Sequence, residues 1–283
     1  MENRDTIRRS WNAATDAHQS HHADLPRYLR EGGSTLFPEE LDLLGEIVGT
    51  SLAHLQCNAG EDSLSLAALG ASVTGVDLSD SAIAHAGRLS HESGIPARFV
   101  RADLYDWLRE TYTAGERFDV AYCSYGVVCW LDNLAAWAGG IASILRPGGR
   151  FVMLEFHPIA ATFDSGWRHR FPYGGGRRRE LPDGIGDYVG EAAGGLTPAG
   201  FAEGVREFHN PHPAWLYQWG IGEVVTALTS AGLLVTALRE YPWSNGERAF
   251  DDMRELPGRR MIAPESVPEL PLMYGIVARK PEE

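Results

Sequence analysis

The stretch HLQCNAGEDSLSLAALGASVTGVD, residues 54–77, decides the predicted fold. It begins inside an apolar segment, Ser51 to Cys57, that is typical of a buried strand. It continues through the helical pattern EDSLSLAALG to Gly70 and ends in a second apolar segment, SVTGVDL. A strand, a helix and a strand in this order predict a βαβ unit with two parallel strands. The first loop carries one glycine, Gly60, whereas a dinucleotide-binding loop carries three in the pattern G-x-G-x-x-G.

The alternation of strands and helices continues on both sides of a long irregular segment. Helices are predicted from Ser79 to Gly94, from Asn133 to the Pro147-Gly148-Gly149 stop, and over GIGEVVTALTSAGL. The last two strands have no strong helix between them, so the final strand should run antiparallel. We therefore predict an α/β fold, a doubly wound Rossmann-like seven-stranded sheet with an antiparallel last strand. The remaining predicted strands are ARFVRADL, FDVAYCSYG, RFVMLEFHP, LLVTALREYPW and PLMYGIVARK.

Composition excludes several classes of function. A net charge of −13 disfavours nucleic acid as a partner, because such proteins usually present a basic face. No run of about 18 apolar residues exists to cross a membrane, and no apolar leader precedes the first helix, so a cytoplasmic protein is expected. Three cysteines without a CxxC pair do not form a disulfide framework. Lys280 is the only lysine, which leaves none in the body of the chain for Schiff-base chemistry.

Two acidic residues follow predicted strands at the sheet edge where ligands bind in such folds. Asp77 ends the second strand, near the spacing at which an acid takes ribose hydroxyls. Asp103 follows the third strand and is placed to accept a hydrogen bond from an adenine amino group. Either acid alone could be an ordinary turn or cap residue. Together, beside a loop that is poor in glycine, they indicate an adenosine joined to something other than phosphate.

The segments quoted above, from His54 to Pro158, resemble class I S-adenosylmethionine-dependent methyltransferases, specifically a bacterial small-molecule branch. The resemblance implies S-adenosylmethionine as the cofactor and places Ser124 and Tyr125 near the sulfonium and the substrate. One departure is evident: His54 stands where the family has an acidic residue, and Gln56 and Asn58 stand where it has glycines. The cofactor-binding residues implied for the methionine part are Leu55, Gln56, Cys57, Asn58 and Gly60, those for the ribose Asp77 and Leu78, and those for the adenine Ala102, Asp103 and Leu104.

The chain outside the core is expected to cover the site. We predict a helical cap over residues 1–37, a cofactor-binding core over 38–156, a substrate lid over 157–219, and the end of the core over 220–283. In the cap, Trp11 and Tyr28 either fold over the cofactor or pack as ordinary helix residues. In the lid, the run Arg177 to Arg179 either anchors a carboxylate substrate or is a solvated charge run.

Methyl transfer from a sulfonium is an in-line displacement, for which orientation of the reactants supplies most of the acceleration. A general base is needed only if the nucleophile is a hydroxyl or an acidic carbon. His157, His209 and His212 are candidates for this base, with Tyr125 as an orienting group. The motif HNPHP offers two histidines but no third ligand at a recognisable spacing, so no metal site is predicted.

Three functions remain open from the sequence. The leading one is methyl transfer to a small-molecule acceptor with a nitrogen, oxygen or carbon nucleophile. The second keeps the cofactor and cyclises its amino acid part, releasing methylthioadenosine. The third is an NAD-dependent oxidoreductase, which the missing glycines and Asp103 disfavour. Neither the acceptor nor the oligomeric state follows from the sequence.

Overall fold

The computed structural model describes residues 2–282 and arranges them in helices and strands whose order matches the predicted alternation. The α-helices are α1 (Glu2–Ser20), α2 (Leu25–Arg30), α3 (Pro38–Leu44), α4 (Glu61–Ala68), α5 (Asp80–Ser93), α6 (Leu104–Thr113), α7 (Leu134–Ile144), α8 (Tyr188–Ala192) and α9 (Ile221–Ser230). The strands are β1 (Ser51–Leu55), β2 (Ser72–Asp77), β3 (Arg98–Arg101), β4 (Phe118–Ser124), β5 (Leu145–Phe156), β6 (Arg177–Leu181), β7 (Ala214–Gln218), β8 (Leu234–Tyr241), β9 (Trp243–Asn245), β10 (Arg254–Leu256), β11 (Arg260–Ile262) and β12 (Met273–Arg279). Short 3-10 turns span Val128–Trp130, Ala160–Thr162 and Ala193–Gly195.

A seven-stranded sheet in the order β3-β2-β1-β4-β5-β12-β8 forms the centre of the molecule. Strands β1 to β5 are parallel to one another, whereas β12 is antiparallel to both β5 and β8. The predicted fold class and its antiparallel last strand are therefore confirmed. The strand order reverses at β1, which pairs with β2 on one side and with β4 on the other. This reversal opens a crevice at the carboxyl ends of β1 and β4.

The ends of α5 are those that the sequence indicates. Ser79 accepts a hydrogen bond from the Ala82 amide at 3.1 Å, and Gly94 ends the helix with a φ of 74°. The end of α7 differs from the prediction, because the helix stops at Ile144 rather than reaching Gly149. Leu145 already pairs with Phe118 of β4, and Pro147 has no amide hydrogen with which to continue a helix. Strand β5 consequently begins five residues before the predicted strand.

Alternate residues of the central strands pack into separate cores on the two faces of the sheet. In β4, Ala121 and Cys123 belong to one core with Trp137 of α7, and Val120 and Tyr122 belong to the other. A strand that is apolar on both faces is what a doubly covered parallel sheet requires. The sheet is thus held from both sides, and the edges of its strands provide a rigid base for the loops.

Segments outside the sheet lie above its carboxyl edge. Strands β6 and β7 pair antiparallel, and β10, β11 and β9 form a small three-stranded sheet that the sequence analysis did not predict. Helix α1 contacts α5, α8 and β7, so the beginning of the chain meets the inserted segment. Among residues 2–282, no helix is long and apolar enough to span a bilayer.

Candidate active site

A cavity of about 780 Å³ lies at the carboxyl ends of the parallel strands. Its floor consists of the loops after β1, β2, β3, β4 and β5, and its walls come from α1, the inserted segment and the small sheet. This volume is within the usual range for small-molecule and cofactor sites. The cavity therefore occupies the position that the sheet topology predicts for a ligand.

The loop after β1 adopts a backbone conformation that favours glycine. Gln56 has a φ of 54° and Asn58 a φ of 49°, both in the left-handed region. Such a conformation costs a residue other than glycine roughly 1–2 kcal/mol. The Asn58 amide donates to Asp77 Oδ2 at 3.0 Å, and Gln56 Nε2 donates to the Val127 carbonyl at 3.1 Å. These bonds hold the loop against its strain at the two positions where the family resemblance expects glycine.

Gln56 also leaves a polar atom unused. Its Oε1 is buried and has no hydrogen-bond partner among the described residues. Gln56 lines the cavity, as do Cys57 and Asn58. A buried acceptor without a partner costs free energy that a donor on a bound ligand would restore. This oxygen is therefore available to accept a hydrogen bond from a bound ligand.

Asp77 is tied to the two loops on either side of it. Oδ2 accepts the Asn58 amide, and Oδ1 accepts the Ser79 amide at 2.8 Å. Burial raises the pKa of Asp77, and the backbone hydrogen bonds oppose that rise. Each carboxylate oxygen can accept a further bond. The carboxylate thus lines the cavity in a fixed orientation with capacity for ligand hydroxyls.

Asp103 begins α6 and faces the same cavity. Its Oδ1 accepts the amides of Tyr105 and Asp106, at 3.0 and 3.2 Å, and contacts Arg4 Nη1 at 2.9 Å. Burial raises the pKa of Asp103, and the charge of Arg4 opposes that rise. The other carboxylate oxygen, Oδ2, takes part in none of these contacts, but they fix the orientation of the carboxylate to which it belongs. Asp103 is therefore the cap of α6 and also lines the cavity.

Acidic side chains occupy the first turn of α4, directly after the β1 loop. Glu61 and Asp62 both line the cavity, and burial raises the pKa of Asp62 to about 6. A helix N-terminus attracts anions, and a pyrophosphate site uses this attraction. Two carboxyl groups at this position oppose a phosphate by repulsion. The loop chemistry therefore disfavours a dinucleotide.

The loop after β4 is held by one buried carboxylate. Glu155 of β5 accepts the amides of Gly126, of Val127 at 2.8 Å, of Val128 at 3.0 Å and of Phe156 at 2.7 Å. Its pKa is raised by burial, and the four amides oppose that rise. Four backbone donors on one carboxylate fix the loop tightly. Sequence reasoning did not single out Glu155, although an acid within an apolar strand is a visible signal.

Tyr125 lines the cavity, but its hydroxyl is engaged elsewhere. It donates to Glu40 Oε2 at 2.9 Å and accepts from Asn245 Nδ2 at 3.0 Å. Tyr122 donates to the other oxygen of Glu40. Burial, together with the nearby Asp62, raises the pKa of Glu40 to about 8. Tyr125 therefore presents its ring to the cavity while its hydroxyl anchors a buried network.

His157 follows β5 directly and lines the cavity, as expected. Both of its ring nitrogens are occupied: Nδ1 accepts the Ile159 amide at 3.1 Å, and Nε2 lies 2.9 Å from Glu240 Oε1. This arrangement fixes the tautomer with the proton on Nε2 and leaves no nitrogen to abstract a proton. The structure thus argues against His157 as a base. His209 and His212 are not part of the cavity lining.

Most of the sequence-predicted residues come together in this cavity, but besides His209 and His212 three of the predicted cofactor-binding residues do not. Leu55 is fully buried in β1, Gly60 packs against Ala86 and Phe99, and Tyr28 covers Gly33. None of the three is in the lining, so their predicted contact with the cofactor has no support from the geometry. Those in the lining are Trp11, Gln56, Cys57, Asn58, Asp77, Leu78, Ala102, Asp103, Leu104, Ser124, Tyr125 and His157.

Several lining residues were missed by the sequence analysis. Near α4, His18 Nδ1, Gln19 Oε1 and His22 Nδ1 are buried without a hydrogen-bond partner among the described residues. On the opposite side, Glu247 lines the cavity, and its carboxylate makes no hydrogen bond or ion pair within residues 2–282. Burial and the nearby Glu155 raise the pKa of Glu247 to about 8. No local pattern points to Glu247, because the loop that follows β9 places it at the cavity.

Comparisons with known proteins agree with this geometry. Residues 53–149 match a family described as a methyltransferase domain. Residues 53–149 of this chain thus form a methyltransferase domain. The matched methyltransferase domain covers β1 to the beginning of β5, so the resemblance seen in the sequence is confirmed.

Relatives of the methyltransferase domain include one curated protein and many solved structures. A ubiquinone biosynthesis O-methyltransferase from Methylobacterium sp. (strain 4-46) is 32% identical over 132 residues, which are 47% of this chain and 49% of that protein. The chain thus spans about half the length of this curated relative. An S-adenosylmethionine-dependent methyltransferase from Mesorhizobium loti has a TM-score of 0.53 at 20% identity, covering 88% of this chain and 99% of its own. A related structure from Listeria monocytogenes has a TM-score of 0.58 at 16% identity, covering 86% and 96%.

Proposed function

We propose that this chain transfers the methyl group of S-adenosylmethionine to a small-molecule acceptor. The observation that carries the proposal is a single continuous cavity. It contains the two strand-end acids, Asp77 and Asp103, and also the loop after β4 and the inserted segment. One cavity can therefore hold a cofactor and an acceptor side by side, as an in-line displacement requires.

The residues present fit this cofactor. Asp77 offers oxygens to the ribose hydroxyls, and Asp103 Oδ2 offers an acceptor to the adenine amino group. Gln56 Oε1, which lacks a partner among the described residues, suits the ammonium group of the methionine part. The acidic turn at Glu61 and Asp62 also favours a cation over a pyrophosphate. These features support S-adenosylmethionine over NAD.

The cofactor supplies an activated methyl group, and this chain supplies position. Glu155 fixes the loop after β4, so that Ser124 and the ring of Tyr125 keep one arrangement toward the cavity. Aromatic side chains of the inserted segment, Trp215 and Trp219 among them, complete the wall and exclude water. Oriented reactants account for roughly 7–11 kcal/mol of a barrier. Positioning is therefore the main contribution of the protein.

Glu247 is the proton acceptor that the geometry favours for a hydroxyl nucleophile. His157 has no free nitrogen, whereas the carboxylate of Glu247 lines the cavity without a hydrogen-bond partner in the described part of the chain. A pKa of about 8 places it near the working range of a general base. The partial likeness to an O-methyltransferase supports including hydroxyl acceptors among the substrates to be tested.

Titration calorimetry with S-adenosylhomocysteine and, separately, with NAD tests the proposal. We expect binding of S-adenosylhomocysteine and none of NAD; the reverse result would overturn the cofactor assignment. Incubation with S-adenosylmethionine alone separates transfer from cyclisation, because only cyclisation releases methylthioadenosine without an acceptor. Rapid release of methylthioadenosine without an acceptor would overturn the proposal of methyl transfer and favour cyclisation.

A further inference from the structure

Arg179 differs from the other two arginines of the run on β6 in its environment. Arg177 and Arg178 are exposed, and Arg178 pairs with Glu180 at 3.0 Å. Arg179 is half-buried and lines the cavity. The charge run is therefore solvated only in part. One of its members belongs to the candidate active site.

The guanidinium of Arg179 has no anionic partner among residues 2–282. It lies over the ring of Phe171, 4.1 Å from the ring centre, and no ion pair or hydrogen bond accompanies this contact. Burial lowers its pKa, as expected for a cation that has lost water without gaining an anion. The other arginines of the cavity differ, since Arg4 pairs with Asp103 and Arg259 donates to the Gly195 carbonyl at 2.9 Å.

A cation placed in this way stabilises a bound anion. Desolvation of an unpaired charge costs free energy, and a ligand that pairs with it recovers part of that cost. The planar guanidinium matches a carboxylate through two parallel hydrogen bonds, and the ring of Phe171 holds it flat. In a chain with a net charge of −13, an anionic ligand also needs a fixed local cation.

Arg179 lies on the acceptor side of the cavity. It lies near Cys129, in the turn that follows β4, and it pairs in register with Leu216 of β7. Of the proposed cofactor-binding acids, Asp77 ends β2 and Asp103 follows β3, on the other side of the strand-order reversal. The carboxylate of a bound cofactor is thus the less suitable partner, and the acceptor is the better one.

We propose that Arg179 binds a carboxylate of the methyl acceptor, so that the substrate class is a small carboxylic acid whose body lies against the aromatic wall. This inference rests on the proposed function. Bidentate pairing with a charged partner should strengthen binding by roughly tenfold to a hundredfold over an uncharged isostere.

Matched carboxylate and carboxamide pairs, benzoate with benzamide and indole-3-acetate with indole-3-acetamide, are titrated into protein saturated with S-adenosylhomocysteine. We expect the carboxylates to bind at least tenfold more tightly to the wild type. Arg179→Gln should remove that preference, Arg179→Lys should keep part of it, and the exposed Arg177→Gln should leave it unchanged. Thermal unfolding of each variant confirms that it is folded.

The absence of a carboxylate preference in the wild type, or its survival in Arg179→Gln, would overturn the inference. A large loss of S-adenosylhomocysteine affinity in Arg179→Gln would overturn it too, because the arginine would then bind the carboxylate of the cofactor. Failure of the wild type to bind S-adenosylhomocysteine at all counts against the proposed function instead, so the two outcomes are distinguishable.

Discussion

Asp77 is the side chain whose replacement we expect to weaken cofactor binding most. Asp77→Ala would remove the two charge-assisted hydrogen bonds proposed to the ribose, and it frees the amides of Asn58 and Ser79. We expect a loss of about 2–4 kcal/mol, which is roughly 30- to 1000-fold in affinity for S-adenosylhomocysteine. Calorimetry measures it, with the exposed Asp42→Ala, outside the cavity lining, as a control that should bind normally. Equal affinities of the two variants would contradict the assignment.

If Glu247 is the proton acceptor, its pKa determines the pH dependence of the reaction with a hydroxyl acceptor. Its pKa of about 8 means that the carboxyl is mostly protonated at neutral pH and cannot then accept a proton. The rate should therefore rise up to tenfold per pH unit from pH 6.5 and level off above pH 8. In Glu247→Gln the rise should disappear, while the exposed Glu255→Gln should keep it. A rise that persists in Glu247→Gln would remove this residue from the mechanism.

Single residues also show where sequence reasoning succeeds. Asp77 and Asp103 were predicted because a residue at the end of a parallel strand has a position that the strand itself determines. Glu247 was missed, and Arg179 remained ambiguous between two readings. Both lie on segments whose path over the sheet depends on packing between residues far apart in the chain. No local periodicity encodes such a path.

At the scale of elements, the same contrast separates the large sheet from the small one. Strands β1 to β5 were predicted, since apolar runs between helices are a strong local signal. Strands β9, β10 and β11 are three residues long each, and their pairing joins residues up to 19 apart, from Trp243 to Ile262. Their formation depends on the fold already present, so the sequence predicts only an irregular excursion.

The segment from Tyr173 to Gly204 provides a prediction about an element. It includes β6 and α8, and its Tyr188, Val189 and Leu196 line the cavity. A bound cofactor and acceptor would add contacts to these side chains, so we expect trypsin to cut after Arg177 and Arg178 severalfold more slowly in the ternary complex. Gel analysis over time measures the rates, with added NAD as the control. Equal rates with and without ligands would refute a lid function.

For the whole molecule, buried acids make stability depend on pH. The pKa of Glu40 is raised to about 8, so its protonated form is the one that the fold prefers. A carboxyl group with a raised folded pKa contributes most below its unfolded pKa, near pH 4.5, and this contribution is lost as the pH rises toward 8. The contribution of Glu40 to the free energy of unfolding should therefore fall between pH 5.5 and 7.5, by about 1 kcal/mol per pH unit.

Urea denaturation of the wild type and of Glu40→Gln at several pH values measures this contribution, because the difference between the two free energies of unfolding should change with that slope. Other buried acids with a raised pKa, Glu247 and Asp62 among them, contribute equally to both proteins. The exposed Glu46→Gln should behave as the wild type. If the slope of Glu40→Gln equals that of the wild type, then the buried carboxyl of the Tyr122 and Tyr125 network is not the source.

The hold of Glu155 on the loop after β4 has a consequence for how new specificities arise. The conformation of residues 126–128 is set by a carboxylate that reaches out from the interior of the sheet, through backbone amides that every substitution except proline retains. The path of the loop therefore does not depend on hydrogen bonds from its own side chains, but Gly126 has a φ of 70°, and Val127 and Val128 are buried in the core. Directed evolution toward other acceptors can instead vary Cys129 and Trp130, the partly exposed cavity residues that follow, and keep residues 126–128 as their fixed support.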